Sequence, residues 1–139
     1  MTEAKEEAAT IISRLSLHLA AEPAVVIAVV YGSTVSGRLH PRSDVDLAVA
    51  DRGLLETEKL IDLSTEHSAV CGREVQIRDL RRLEGLILHR VLTTGRAIKE
   101  TDTTLYAQLA LKALDFAEDL LPALRKADDA QVRRFVEGR

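Results

Sequence analysis

Two aspartates, Asp44 and Asp46, lie two residues apart and follow a Gly-Ser pair, Gly32 and Ser33, with residues 34–43 between. In a β-strand, residues i and i+2 point to the same face with Cα atoms about 6.5 Å apart. Both carboxylates can then reach one cation, or they can share two cations about 3.5–4 Å apart. Mg²⁺ prefers oxygen ligands and is usually held by one or two carboxylates together with substrate phosphates. The pattern predicts a Mg²⁺ site formed by Asp44 and Asp46.

The Gly-Ser pair supplies groups of the kind that bind phosphate. Gly32 lets the main chain approach a phosphate closely, and the Ser33 hydroxyl with nearby amides can donate to its oxygens. In the following loop, Arg38 and Arg42 are placed to neutralise phosphate charge, although such loop arginines are more often solvated. Together with the aspartates, these residues indicate a protein that handles nucleotides.

Three predicted strands position these residues. Residues 24–30 are continuously apolar, which predicts a strand buried on both faces. Residues 44–50 alternate, so that Asp44 and Asp46 face away from the core. Residues 74–79 predict a third strand with Gln76 on the same side, and residues 97–98 a short edge strand. Apolar residues at helical spacing predict helices over 3–21, 54–70, 82–94 and from 103 onward, ending in a polar helical tail over 125–137. We expect Gly72 to close the second of these helices in the left-handed conformation.

The order of these elements predicts a mixed α/β fold of the α+β kind. We expect a small mixed β-sheet with helices on one side, an open face that carries the aspartates, and a C-terminal helical extension. No linker or repeat divides the sequence, so we expect one domain over residues 1–139, with a core of about 20–100 and C-terminal helices over 103–137.

Composition excludes several classes of function. Aromatic residues make up 3% of the chain and the net charge is −3. Base stacking on single-stranded nucleic acid and a broad phosphate-backbone footprint are therefore not expected. A single cysteine, Cys71, excludes an internal disulfide and a multi-cysteine zinc site. No stretch reads as a signal peptide or is long enough to span a bilayer, so we expect a cytoplasmic protein with no membrane partner.

In combination, the Gly32-Ser33 pair, the interval containing Gly37 and Ser43, and Asp44-x-Asp46 resemble a known family. This is the minimal nucleotidyltransferase (MNT) branch of the DNA polymerase β-like superfamily, and the resemblance covers roughly residues 20–100. It implies a nucleotidyltransferase fold that uses Mg²⁺ and ATP. It also implies that Asp44 and Asp46 are catalytic. The nucleotide-binding residues would be Gly32, Ser33, Arg38 and Ser43.

The resemblance further implies a protein partner. Family members of this size are commonly the antitoxin of a bacterial toxin–antitoxin pair whose toxin is an all-helical HEPN ribonuclease. They are similar to enzymes that transfer AMP from ATP to a tyrosine of that toxin. We therefore expect a HEPN toxin as partner and a tyrosine hydroxyl as acceptor.

One position departs from the family pattern. The third carboxylate, normally on the next strand, is replaced by Gln76, an amide that cannot act as a base at neutral pH. Glu74 is a candidate substitute on the same face, and Asp79 is a weaker one of opposite parity. Two alternatives to AMP transfer onto a toxin stay open. One is a catalytically weak or inactive protein that neutralises its toxin by binding. The other is transfer to a small-molecule hydroxyl, although such relatives usually carry an additional substrate-binding domain.

Overall fold

The computed structural model describes residues 3–119 and 121–137. Its helices and strands follow one another in the order α1 (Glu3–Ala20), β1 (Val25–Tyr31), α2 (Ser33–Ser36), β2 (Val45–Asp51), α3 (Thr57–Cys71), β3 (Val75–Asp79), α4 (Gly85–Thr94), β4 (Arg96–Glu100), α5 (Thr103–Asp119) and α6 (Leu121–Glu137). A short 3₁₀ turn, Leu80–Arg82, joins β3 to α4. The predicted mixed α/β fold with a helical extension is confirmed.

A four-stranded mixed sheet in the order β3-β2-β1-β4 forms the centre of the molecule. Strand β1 is antiparallel to both β2 and β4, whereas β2 and β3 are parallel. A parallel pair needs a crossover connection, and α3 supplies it between β2 and β3. The edge strand predicted at residues 97–98 exists and extends over Arg96–Glu100.

Helices cover both faces of the sheet, so the prediction of helices on one side only is wrong. Leucines of α1 and α3 pack on one face, against Val45, Leu47 and Val49 of β2. Leucines of α4 and α5 pack on the other face, against Ala48 and Ala50 of the same strand. The physical reason lies in β1, where residues 25–30 are all buried and need an apolar layer on each side.

Local side-chain and backbone hydrogen bonds set the ends of several helices. Helix α3 ends at Gly72, which is left-handed with φ 66°, as predicted. Helix α5 is capped by Asp102, whose Oδ1 accepts from the Leu105 N–H at 2.9 Å. Helix α4 begins at Gly85 instead of residue 82, because the Asp79 carboxylate accepts from the Arg81 N–H and forms the 3₁₀ turn.

Helix α2 was not predicted from the sequence, whereas the C-terminal helices were. The interval 34–43 was expected to be irregular, but its first residues belong to α2. At the other end of the chain, α5 buries Leu105, Leu109 and Ala113, and α6 continues as the predicted helical tail. No helix within the described ranges is long and apolar enough to cross a membrane.

Candidate active site

Strands β1 and β2 bring the Gly-Ser pair against one of the two aspartates. Tyr31, the residue before Gly32, pairs with Asp46 across the antiparallel ladder. Gly32 has φ 77°, and a Cβ atom at this position would lie 2.6 Å from Oδ2 of Asp46. That distance is shorter than a real carbon–oxygen contact, so only glycine lets the main chain lie directly against the carboxylate. The carbonyl oxygen of Gly32 then accepts from the Val35 and Ser36 N–H groups and starts α2.

Strand β3 adds an amide and a guanidinium to the same face. Gln76 is the register partner of Asp46, and Arg78 is the partner of Ala48 one pleat further along. The Gln76 side chain donates from Nε2 to Oδ2 of Asp44 at 3.2 Å. Asp44, Asp46 and Gln76 therefore meet at one place, although Asp44 itself lies just before β2.

The Asp46 carboxylate is in an environment that disfavours its negative charge. Burial raises its pKa, the neighbouring charge of Asp44 raises it further, and the Arg78 guanidinium lowers it. Within the described ranges no hydrogen bond or ion pair reaches this carboxylate. A desolvated carboxylate next to a second one, without hydrogen-bond donors, favours the binding of a cation.

A cleft of about 530 Å³ opens in front of Asp46 and Gly32. This volume falls in the range of roughly 300–1,000 Å³ that is usual for small-ligand sites. Helix α4 forms the opposite wall, with apolar side chains at Leu86, Ile87 and Val91 and polar ones at Arg90 and Thr94. The sequence predicted a helix here but did not predict these residues as part of the site, because 40 or more positions separate them from Asp46 and no local pattern connects the two regions.

Tyr31 is a further cleft residue that the sequence did not predict as part of the site. Its ring lines the cleft, and its hydroxyl oxygen has no hydrogen bond of ordinary geometry to any described residue. Burial raises the pKa of this hydroxyl; the Arg78 guanidinium lowers it and the Asp46 charge raises it. Tyr31, Asp46 and Arg78 thus form one electrostatic group.

The other predicted nucleotide-binding residues lie beside the cleft. Ser33 is the first residue of α2 and is partly exposed. Arg38 is exposed and is not among the cleft-lining residues, and the same holds for Arg42. The Ser43 hydroxyl accepts from the His40 N–H at 2.9 Å, which braces the loop that leads to Asp44. The structure therefore brings Gly32 and Asp46 into the cleft directly, with Asp44 adjoining through Gln76.

Arg73 holds the loop that leads to Asp44 in place. Its Nη1 donates to the carbonyl oxygens of His40 and Ser43, at 2.9 Å each, and its Nη2 donates to the Glu7 carboxylate of α1. The side chain is only 9% exposed, so these charge-assisted hydrogen bonds are largely shielded from water. A contact across 30 residues leaves no periodic signal, which explains why the sequence did not indicate it.

The donor set fits one hard divalent cation. Two carboxylates on one face, one of them half-buried and without a hydrogen-bond donor, are oxygen ligands of the kind that Mg²⁺ prefers. In the described residues no group of three or more His, Cys, Asp or Glu side chains is placed to hold a metal, so Glu74 does not join the pair. Asp79 is also separate, since its carboxylate accepts from the Arg81 N–H and pairs with Arg82 at 3.5 Å.

The fold is that of the nucleotidyltransferase class. Residues 14–104 match the family described as polymerase beta, nucleotidyltransferase. The chain belongs to this family, which confirms the resemblance drawn from Gly32, Ser33, Asp44 and Asp46. A comparison with curated proteins found no match.

Several similar solved structures are of toxin–antitoxin complexes. A chain from a toxin–antitoxin crystal structure with AMP-PNP is 22% identical, with a TM-score of 0.68 over 88% of this chain and 98% of that chain. A chain from the tri-AMPylated Shewanella oneidensis HEPN toxin in complex with MNT antitoxin is 20% identical, with a TM-score of 0.60 over 94% and 98%. A chain from the toxin–antitoxin MntA-HepT is 20% identical, with a TM-score of 0.59 over 91% and 97%. At these identities the likeness establishes a common fold.

Proposed function

We propose that this protein is an antitoxin that transfers AMP from ATP to a tyrosine hydroxyl of a cognate HEPN ribonuclease toxin and so neutralises it. The observation that carries the proposal is the Asp46 carboxylate, held against the main chain of Gly32 at a cleft of about 530 Å³, with Asp44 adjoining through Gln76. Family membership supports nucleotide transfer. The relatives solved with AMP-PNP and with a tri-AMPylated HEPN toxin support the choice of nucleotide and partner.

Each residue has a role that its position allows. Asp44 and Asp46 would hold Mg²⁺, which when bound neutralises phosphate charge and makes the α-phosphate more electrophilic. Gly32 lets the main chain approach the phosphates, and the Ser33 hydroxyl at the start of α2 follows it directly in the chain. Arg90 on the opposite wall carries a positive charge for the phosphates, and Arg38 and Ser43 remain candidates for further contacts.

Labelled ATP tests this proposal. The protein, Mg²⁺, ATP labelled on the α-phosphate and the purified toxin are incubated together, and label on the toxin is measured. We expect transfer by the intact protein and at least a hundredfold loss in Asp44→Ala and Asp46→Asn, as is usual when a charge-stabilising group is removed. Asp62→Ala, at an exposed aspartate of α3, is the matched control and should keep full transfer. The proposal fails if the intact protein leaves the toxin unlabelled.

Gln76 favours a second candidate function, neutralisation by binding alone. The amide takes the place of a third carboxylate and donates to Asp44, so it offers no base for the acceptor hydroxyl. An antitoxin of this kind would suppress the ribonuclease in the absence of ATP, and Asp46→Asn would suppress it equally well. A ribonuclease assay with and without ATP separates the two functions, because an enzyme needs both ATP and Asp46.

A further inference from the structure

The negative charges around Asp46 are too few to hold a pair of divalent ions. Asp44 and Asp46 contribute two negative charges and Gln76 contributes none, whereas Arg78 on β3 and Arg90 on the cleft wall contribute positive ones. Two-ion sites place the ions about 3.5–4 Å apart and need carboxylates that bridge and flank them. In the part of the chain that the structure describes, no third His, Cys, Asp or Glu joins the two aspartates.

The orientation of Gln76 reduces the capacity of Asp44 for a second ion. The amide nitrogen points at Oδ2 of Asp44, so this oxygen already accepts a hydrogen bond on the side of β3. An amide binds a metal through its oxygen, and Gln76 would have to turn and break that hydrogen bond in order to do so. The β3 side of the aspartate pair is therefore occupied by a donor.

Arg78 places a fixed positive charge on the same face. It follows Gln76 by one pleat and is the register partner of Ala48, which puts it next to Asp46 along the sheet. A guanidinium stays protonated at all relevant pH values and repels a further cation at short range.

We propose that this site holds one divalent cation per nucleotide, and that the Arg78 guanidinium supplies the positive charge that a second ion would bring. The inference rests on the proposed function, since it concerns the same nucleotide site. Arg78 compensates the charge of the phosphates beside Asp46, while Gln76 keeps Asp44 oriented and excludes the second ion. The site is thus a charge-substituted form of a two-ion nucleotidyltransferase site.

Counting bound Mn²⁺ tests this inference without measuring turnover. The protein is saturated with a non-hydrolysable ATP analogue, and Mn²⁺ per bound nucleotide is measured by equilibrium dialysis with electron paramagnetic resonance detection of the free ion. We expect one Mn²⁺ per nucleotide in the unmodified protein and two in the double variant Gln76→Asp/Arg78→Gln. Two Mn²⁺ in the unmodified protein would overturn the inference and leave the proposed function intact.

Single variants separate the charge of Arg78 from its shape. Arg78→Gln should weaken binding of the Mn²⁺–nucleotide complex about tenfold, the usual effect of losing one charge-assisted contact. Arg78→Lys should bind within a few-fold of the unmodified protein, because the charge remains. Arg52→Gln, at an exposed arginine outside the cleft, is the control. Equal binding by Arg78→Gln and Arg52→Gln would overturn the inference. Absence of nucleotide binding in the unmodified protein would overturn the proposed function, and the inference with it.

Discussion

The two faces of the central sheet carry different kinds of side chain, although the same strands supply both. On the face covered by α1 and α3, β2 and β3 present Val45, Leu47, Val49, Val75 and Ile77, all buried in one apolar cluster. On the face covered by α4 and α5, the alternate residues include Asp46, Gln76 and Arg78. We call these the closed face and the cleft face.

The difference shows how one short strand can serve stability and chemistry together. Side chains alternate in direction along β2, so each apolar residue of the closed face is followed by one on the opposite face, where Asp46 lines the cleft and Ala48 and Ala50 are buried. The closed face anchors the backbone of β2, and this rigidity positions Asp46 against Gly32. Substitutions on the closed face should therefore act on stability, and substitutions of Asp46, Gln76 and Arg78 on the cleft face should act on nucleotide chemistry.

The largest expected effect is loss of stability on the closed face. Leu47 is fully buried, and Leu47→Ala should lower the free energy of unfolding by about 2–5 kcal/mol. Leu17→Ala, at a leucine that is 79% exposed, should change it by no more than about 0.5 kcal/mol. Urea unfolding followed by circular dichroism measures both. Equal stability of the two variants would contradict the assignment of Leu47 to the core.

Gly32 and Gly37 separate backbone strain from damage to the cleft. Both have positive φ, so alanine at either position should cost about 1–3 kcal/mol of stability. Only at Gly32 would the added Cβ displace the Asp46 carboxylate, since Gly37 has no atom within 4 Å of that position. We expect Gly32→Ala to reduce AMP transfer about a hundredfold and Gly37→Ala to leave it nearly unchanged. Similar activities of the two variants would contradict the contact with Asp46.

Asp46→Asn should raise stability slightly while it removes activity. Burial and the Asp44 charge raise the pKa of Asp46, so the folded protein is penalised for ionising it. Stability from this group is therefore lost as pH rises from about 3.9 through the raised pKa of the folded state. The advantage of the asparagine variant should be present at pH 7 and shrink as pH falls toward 4. Denaturation midpoints of both proteins across this range provide the measurement, and a lower midpoint for Asp46→Asn at pH 7 would refute it.

His67, a buried residue of helix α3 on the side of the closed face, should give stability the opposite pH dependence. Burial lowers its pKa, and the neighbouring His18, whose Nδ1 lies 3.4 Å from Nε2 of His67, adds to this shift. The unfolded chain binds a proton below about pH 6.5 while folded His67 stays neutral, so stability should fall as pH drops below that value. His67→Gln should flatten this slope between pH 7.5 and 5.5. An unchanged slope would show that another group is responsible.

Sequence patterns predicted the parts of the molecule that depend on local chemistry. The apolar run in β1, the alternation around Asp44 and Asp46 and the glycine that ends α3 each leave a signal within a few residues. The four-residue helix α2 leaves none, because Gly32 starts it from a contact with distant Asp46. Arg73 and Arg90 were also missed, since their positions at the loop and the cleft are set only when remote elements pack together.

The parallel pairing of β2 and β3 has a consequence for the order in which the site forms during folding. Tyr31 meets Asp46 across 15 residues of chain, whereas Asp46 meets Gln76 across 30 and only after α3 has crossed the sheet. Longer loops cost more closure entropy. We therefore expect the contact between Gly32 and Asp46 to form in the transition state of folding, and the contact with Gln76 to form later. Mutational φ-values should be higher at Val30 than at Ile77. A nucleus centred on β3 would reverse that order.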